Sequence, residues 1–275
     1  MSPAAGAGET RVLTATPPDF SVFRKRALLA GGAGFAILLA GLFLDPDQFF
    51  RSYLLGYSLW VGIALGCMGI LMLQHLSGGA WGVVLRRILE AGTRTIPFLF
   101  VLFVPLLVGI RRLYPWADAK IVSADPLLQH KAAYLNPTGF TLRAVIYFAV
   151  WSGFAFLLTR WSDAQDRTRD PGLVDRLGKL SGAGIALYVL TMTFASVDWL
   201  MSIEPMWFST IYGVLVATGQ VVAAFAFAIA VVILLAAYPR MADVVGRPHL
   251  RDLGSLLLAF VMVWAYIAFS QYLLI

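Results

Sequence analysis

The chain of 275 residues is 60% hydrophobic and 13% charged, and its mean hydropathy is +0.79. A soluble domain of this size would carry about twice that charged fraction, so the composition excludes an ordinary soluble protein and predicts an integral membrane protein. The net charge of +6 is then assigned to cytoplasmic loops and lipid headgroups rather than to nucleic-acid binding. The single cysteine excludes an internal disulfide and a multi-cysteine metal or iron–sulfur site on this chain alone.

Seven apolar segments follow a polar N-terminal tail at 1–26, and they predict an all-α polytopic helix bundle over 27–275. The predicted spans are 27–44, 53–76, 96–110, 140–160, 181–202, 209–238 and 252–275. An amphipathic stretch at 81–94 precedes the third span, and the charged connection at 161–180 is predicted to be a solvated loop. Fifteen lysines and arginines fall on the N-terminal side of the membrane and six on the other, which predicts a cytoplasmic N-terminus.

Two carboxylates, Asp198 and Glu204, stand at the end of the fifth span. An aspartate at the centre of a membrane helix costs about 2.5–3.5 kcal/mol on the insertion scale, so such groups usually bind a proton or a polar ligand. Tyr188, Thr191 and Asp198 share one helical face. This polar row predicts a path for protons that leads from mid-membrane to the outer interface.

Two structural interpretations of Asp198 stay open beside the functional one. The carboxylate could cap the end of the span in water, or it could pair with an arginine. Arg143, Tyr147 and Trp151 share a face of the fourth span at spacings of four residues, and Arg143 enters the membrane level with Asp198. An Arg143–Asp198 ion pair would keep the carboxylate ionised and would argue against proton shuttling.

The opposite side of the membrane carries a second set of polar residues. His75 ends the second span, where it is either a proton relay or a solvated interfacial group. No second intramembrane histidine accompanies it, which argues against bis-histidine haem on this chain. Arg86, Arg87, Glu90 and Arg94 decorate the amphipathic stretch, with i, i+4 pairs predicted at Arg86–Glu90 and Glu90–Arg94, as in a connector that contacts headgroups.

Four sequence blocks, in order along residues 25–275, resemble a known family. They are QHLSGGAWG at 74–82 with Arg86, Arg87 and Glu90 after it, LYPW at 113–116, HKAAYLN at 130–136, and SVDWLMSIEPMWFSTIYG at 196–213. Together these blocks resemble the ActF subunit of bacterial alternative complex III, a quinol:electron acceptor oxidoreductase. ActF is similar to the membrane subunits of polysulfide-reductase-type enzymes, which implies an all-helical fold built on four-helix bundles in the bacterial inner membrane.

The resemblance also implies partners and cofactors. Alternative complex III oxidises quinol or menaquinol and passes electrons to a cytochrome c or an oxidase. Its c-type haems and iron–sulfur clusters lie on partner subunits, so this chain is expected to bind no cofactor alone. An ActC-type sister subunit holds the main quinol site, whereas ActF is a second quinone-binding subunit. Family members have about ten spans, so their later helices are expected to fall outside this chain.

The sequence therefore predicts a membrane subunit of a quinol-oxidising respiratory complex, with no catalytic residue and no metal ligand of its own. By resemblance, His75, Arg87, Asp198 and Glu204 are the candidate proton-path residues, and Tyr188 and Thr191 join them from the fifth-span row. Two alternatives stay open. The chain could be a purely structural scaffold of that complex, or it could be a secondary transporter with broken helices and a mid-membrane site.

Overall fold

The computed structural model describes residues 21–236, 238 and 244–274, and every regular element in these ranges is helical. The long helices are α1 (Ser21–Leu44), α2 (Pro46–Ser77), α3 (Ala80–Thr93), α4 (Ile96–Val108), α8 (Pro137–Thr168), α9 (Pro171–Trp199), α10 (Tyr212–Leu235) and α11 (Arg247–Leu274). The connection from α4 to α8 contains the short helices α5 (Ile110–Leu113), α6 (Ala119–Ala124) and α7 (Pro126–Lys131). Residues 1–20 of the predicted tail lie outside the described residues, and 21–26 belong to α1.

Six of the helices are long and apolar enough to cross a membrane, and a bent pair makes the number up to seven. The bent pair is α3 with α4, which meet at 40°. The predicted third span at 96–110 corresponds to α4 alone. At about 20 Å, α4 is too short for a hydrocarbon core of about 30 Å, so α3 is needed to complete the crossing. The all-α fold is confirmed, and several long apolar helices are what a multi-pass membrane protein requires.

Four helices, α2, α7, α8 and α9, begin with the same two-residue signal, an Asp or Asn followed by Pro. At α2, α7, α8 and α9 the first residue of the signal accepts a backbone N–H with its side-chain oxygen, and proline occupies the first helical position; the caps are Asp45, Asp125, Asn136 and Asp170. The cap satisfies one of the four free N–H groups, and proline has no N–H to leave unpaired. These signals fix where the helices begin.

The prediction of a solvated loop at 161–180 is wrong. Helix α8 continues to Thr168 and α9 begins at Pro171, so the break is two residues long. Arg169 adopts a left-handed conformation at φ 54° and closes α8, and Asp170 caps α9. High charge density had indicated a loop, but charged residues are also accommodated in helices that extend beyond the bilayer.

Helix α2 is the centre of the bundle, because it packs against α1, the α3–α4 pair, α9 and α10. The α3–α4 pair, α8 and α9 complete a ring with it, which agrees with the predicted four-helix bundle, and α10 and α11 pack on its flank. The fully buried residues of α2 include Leu65, Cys67, Leu71 and Met72. The thiol of Cys67 lies against Gly92 of α3, so this cysteine acts as a small packing residue.

A glycine allows α2 and α10 to approach closely. A Cβ added at Gly66 would collide with the carbonyl oxygen of Gln220 and would lie 2.7 Å from the Cβ of Ala224. Small residues at such contacts let membrane helices gain van der Waals packing across their backbones. The close contact between α2 and α10 therefore requires a residue without a side chain at position 66.

We predict that Gly66→Ala lowers stability by about 1–3 kcal/mol, since the added methyl group must push two backbones apart. The measurement is thermal unfolding of the purified protein in detergent. Gly56→Ala on the same helix is the matched control, because no atom lies within 4 Å of a Cβ added there. Equal melting temperatures for the two variants would contradict the close approach of α2 and α10 at Gly66.

Candidate functional site

The central feature of the site is a buried ion pair between α8 and α9. Asp198 has no exposed surface, and Arg143 holds both of its carboxylate oxygens. The Arg143 Nε donates to Oδ2 and the Nη2 donates to Oδ1, each at 2.9 Å. The Tyr147 hydroxyl donates a third hydrogen bond to Oδ2, also at 2.9 Å. Of the alternatives open from the sequence, the structure contains the ion pair.

The position of Asp198 explains why it needs these donors. It lies in the last turn of α9, where the helix dipole and the free carbonyls disfavour a negative charge. A buried carboxylate without partners is costly, but a two-pronged guanidinium contact and a hydroxyl satisfy it. Asn136 caps α8 and so fixes the start of the helix that carries Arg143 and Tyr147 at a spacing of one turn.

Tyr134 connects the ion pair to the protein surface. Its ring centroid lies 3.9 Å from the guanidinium carbon of Arg143, and its carbonyl accepts the Arg143 Nη1 at 3.0 Å. Partial burial, reinforced by the Asp198 charge, raises the pKa of Tyr134 to about 12. Its hydroxyl is therefore protonated at neutral pH. Arg143 keeps 20% of its side chain exposed, so the pair is closed on the Asp198 side and reaches the surface through the arginine.

Tyr188 and Thr191 are both buried, but their hydrogen bonds lead to different helices. The Tyr188 hydroxyl donates to Gln220 Oε1 of α10 at 2.8 Å. The Thr191 hydroxyl accepts the indole N–H of Trp151 of α8 at 2.8 Å and donates to the Leu187 carbonyl. Thr191 also lies 3.2 Å from the Tyr188 backbone carbonyl. Among the described residues, however, no side-chain hydrogen bond joins the Tyr188 and Thr191 hydroxyls to each other or to the Asp198 carboxylate.

A cluster of aromatic rings packs beside Tyr147 and Thr191. Trp199 is at the centre, with ring centroids of Phe103, Phe148 and Trp151 between 4.9 and 5.8 Å away. Aromatic contacts of this kind add about 0.5–1.5 kcal/mol each beyond the area they bury. The ion pair is thus packed against a rigid apolar centre.

Glu204 does not join the Asp198 cluster. It follows a short 3-10 helix (Met201–Ile203) and its side chain is exposed. None of the hydrogen bonds or ion pairs found in the described ranges connects its carboxylate to Arg143, Tyr147 or Asp198. The two acids predicted to act together are therefore separated by burial, one fully enclosed and one at the surface.

The opposite end of the bundle, which we call the His75 end, holds a second polar group. His75 Nδ1 lies 3.2 Å from the Ser181 hydroxyl of α9, and its Nε2 is buried with no hydrogen-bond partner among the described residues. Gln74 Oε1, one residue earlier, is likewise buried and has no hydrogen-bond partner among the described residues. The histidine is half-buried, so the interpretation of a freely solvated group does not fit its position.

Glu90 is a buried carboxylate whose environment sequence reasoning missed. It is 2% exposed between α3 and α8, where Arg86 Nε donates to it at 3.1 Å, Arg87 Nη1 at 2.6 Å, and the Ser162 hydroxyl also bonds it. The predicted Arg86–Glu90 pair is confirmed, whereas Arg94 pairs with Asp163 at 2.6 Å instead. Arg87 itself is mostly exposed and also contacts Asp166. The signal in the sequence was the pair of acids after Trp161. Asp163 and Asp166 of α8 are ion-pair partners for the arginines of α3, so they indicate that the two helices pack together.

Gln220 is the other residue that the sequence analysis did not select. It is 7% exposed, it accepts the Tyr188 hydroxyl, and its amide nitrogen lies 3.3 Å from the Met192 sulfur. A lone amide in the apolar run of α10 was the signal, because such a group in a membrane helix usually bonds to another helix.

No protein-family model matches this chain, and no curated protein sequence matches it. Among the residues that the structure describes, no group of three or more His, Cys, Asp or Glu side chains could hold a metal ion. By itself, the geometry defines an all-α bundle of membrane-spanning dimensions. One of its ends is fastened by a buried ion pair, and the other by a polar cluster.

We predict that Asp198→Ala destabilises the protein by about 3–5 kcal/mol, because it leaves the mostly buried guanidinium of Arg143 without its counter-charge. Thermal unfolding in detergent measures the loss. Asp175→Ala on the same helix is the matched control, since the Asp175–Lys179 pair is exposed and such pairs contribute about 0–1 kcal/mol. Similar losses in both variants would show that the Arg143–Asp198 pair does not hold α8 against α9.

Proposed function

We propose that this chain is a membrane subunit of a quinol-oxidising respiratory complex of the alternative complex III type. Support comes from the ordered sequence blocks that resemble ActF and from the number of long apolar helices. In this proposal the protein lies in the bacterial inner membrane with its N-terminus in the cytoplasm. Iron–sulfur, multi-haem cytochrome c and ActC-type partners carry the haems and clusters. This chain contributes contact with quinol and a path for protons.

The proton proposal rests on the full enclosure of the Asp198 carboxylate in the last turn of a membrane helix. Because Arg143 keeps this carboxylate ionised, the proposed route requires the ion pair to open. On the basis of the loop charges, this end of the bundle faces the outer side of the membrane. A proton reaches the carboxylate when Arg143 swings away from it. In the ion-paired state Arg143 also bonds the Tyr134 carbonyl and stacks on the Tyr134 ring, and in this proposal those contacts keep the guanidinium on the surface side when the pair opens. The exposed Glu204 then accepts the proton outside.

The His75 end supplies the inner side of the same route. His75 and Arg87 are the residues that the resemblance carries over there, and Ser181 and Glu90 lie in the same cluster of helices. Tyr188 and Thr191 are two of the buried hydroxyls between the two ends. Because the hydrogen bonds of these hydroxyls lead to different helices, the route requires side-chain motion rather than a fixed row of donors and acceptors.

A purely structural role is the second candidate, and the closed geometry of the ion pair favours it. A carboxylate bonded on both oxygens by a guanidinium fastens two helices without any titration. In that case Asp198 and Arg143 hold α8 against α9 so that partner subunits can assemble on a fixed surface. The two candidates differ in whether turnover needs an acid at position 198.

We predict that Asp198→Asn, in a complex that still assembles, lowers quinol-dependent turnover by about tenfold or more, because asparagine cannot take up a proton. Turnover and the number of protons released per quinol are measured together in proteoliposomes. Asparagine keeps the size and one acceptor oxygen of the original side chain, so assembly is checked first by the stoichiometry of haem. Asp175→Asn serves as the control on the exposed face of α9.

Full turnover and full proton yield in the assembled Asp198→Asn complex would leave the structural role as the function of this pair. Purification of the chain without multi-haem and iron–sulfur partners would overturn the proposed complex itself.

A further inference from the structure

A groove of about 790 Å³ lies between α1 and α4, and α2 forms its wall. Helix α1 has no buried residue and packs mainly on α2, so it stands away from α4 and leaves this space between them. The groove follows α2 from Asp45 to Trp60, a length of about 22 Å at 1.5 Å per residue. It therefore extends from the Asp198 end of the bundle to roughly the middle of the membrane.

The wall of the groove on α2 is a ladder of stacked aromatic rings. The rings of Phe49 and Tyr53 lie 5.8 Å apart at 28°, and those of Tyr53 and Tyr57 lie 6.4 Å apart at 13°. The two tyrosine hydroxyls are already used, because they donate to the carbonyls of Leu102 and Leu99 on α4. The tyrosines thus tie α2 to α4 and contribute ring surface to the groove.

The polar groups of the groove are concentrated at its Asp45 end. Among the described residues that line the groove, Asp45 is the only charged one, and it is exposed there beside Gln48 and Ser52. The Asp45 Oδ1 accepts the Gln48 backbone N–H at 3.1 Å, and the Gln48 amide donates to the Ser52 hydroxyl at 3.2 Å. A ligand that fits has a small polar head at this end and an apolar tail along the ladder.

We propose that this groove binds a prenylated quinol, with its hydroxylated ring at Asp45 and Ser52 and its tail along the aromatic ladder. The negative charge of Asp45 repels the phosphate of a phospholipid, whereas it accepts a hydrogen bond from a quinol hydroxyl. A flat ring suits the stacked rings at the head end. The choice of a quinol over another neutral amphiphile rests on the proposed function.

The test uses the purified complex in nanodiscs and a quinol analogue that carries a photoreactive diazirine in its alkyl tail. Illumination is expected to label peptides from 37–60 or 95–102, and an unlabelled prenylquinol is expected to compete. Phosphatidylglycerol and dioleoylglycerol, an anionic and a neutral lipid, are the other two competitors. If either lipid displaces the label as well as the quinol does, or if these peptides carry no label, the quinol site is refuted.

Two variants locate the ligand without disturbing the protein packing. Gly56→Phe places a ring in the groove and is expected to abolish labelling, because no atom lies within 4 Å of a Cβ added at Gly56. Gly153→Phe is the matched control on α8, where an added Cβ is equally unobstructed and the groove is absent. Asp45→Asn keeps the helix cap, since asparagine caps as well as aspartate, but it removes the charge. We expect it to weaken quinol competition about tenfold.

Unchanged labelling in Gly56→Phe, or unchanged quinol competition in Asp45→Asn, would overturn the site, so the test holds even if one of the two variants fails to assemble. These outcomes are separate from those of the proposed function. A complex that oxidises quinol while the groove stays unlabelled refutes only this site, and a labelled groove in a chain that lacks the respiratory partners refutes only the complex.

Discussion

The contact between Arg143 and Asp198 sets the arrangement of α8 and α9, and these two helices complete the ring that includes the central helix α2. Asp198 is fully enclosed and Arg143 is mostly buried beside aromatic rings, where the local dielectric is low and an unpaired charge is strongly disfavoured. Because both carboxylate oxygens are bonded, the pair closely fixes the position of α8 relative to α9. The Tyr147 hydroxyl restricts it further, since it bonds the same carboxylate oxygen as the Arg143 Nε.

Much of the fold could be predicted from the sequence because its signals are local. A long apolar run gives a membrane helix, and an Asp-Pro or Asn-Pro pair gives its first turn, as at Asp170 and Pro171. The charged stretch at 161–180 was misjudged because charge reports contact with water, and a helix that leaves the bilayer also contacts water. The bent α3–α4 span was predicted as two separate segments for a related reason. The amphipathic pattern of α3 indicated a segment on the membrane surface.

The site was predictable in its parts but not in its pairing. The spacing of Arg143 and Tyr147 placed them on one face, and their level in the membrane matched Asp198. Whether they would meet that carboxylate depends on the rotation of α8 about its axis, which packing determines and sequence does not. The environment of Glu90 shows the same limit, because its two arginines are neighbours in sequence but Ser162 approaches from another helix. Tyr188 and Thr191 share a face, yet they bond to partners on α10 and α8 that no periodicity specifies.

The two-residue break between α8 and α9 gives these helices a mechanical property. Helices of 32 and 29 residues are about 48 and 44 Å long, so about 15 Å of each extends beyond a hydrocarbon core of about 30 Å. Arg169 and Asp170 leave almost no slack between them, and the projecting part is a stiff hairpin rather than a tether. Arg86 and Arg94 of α3 bond Ser162 and Asp163 near the base of this hairpin, so it is braced against α3 and forms a rigid platform outside the hydrocarbon core.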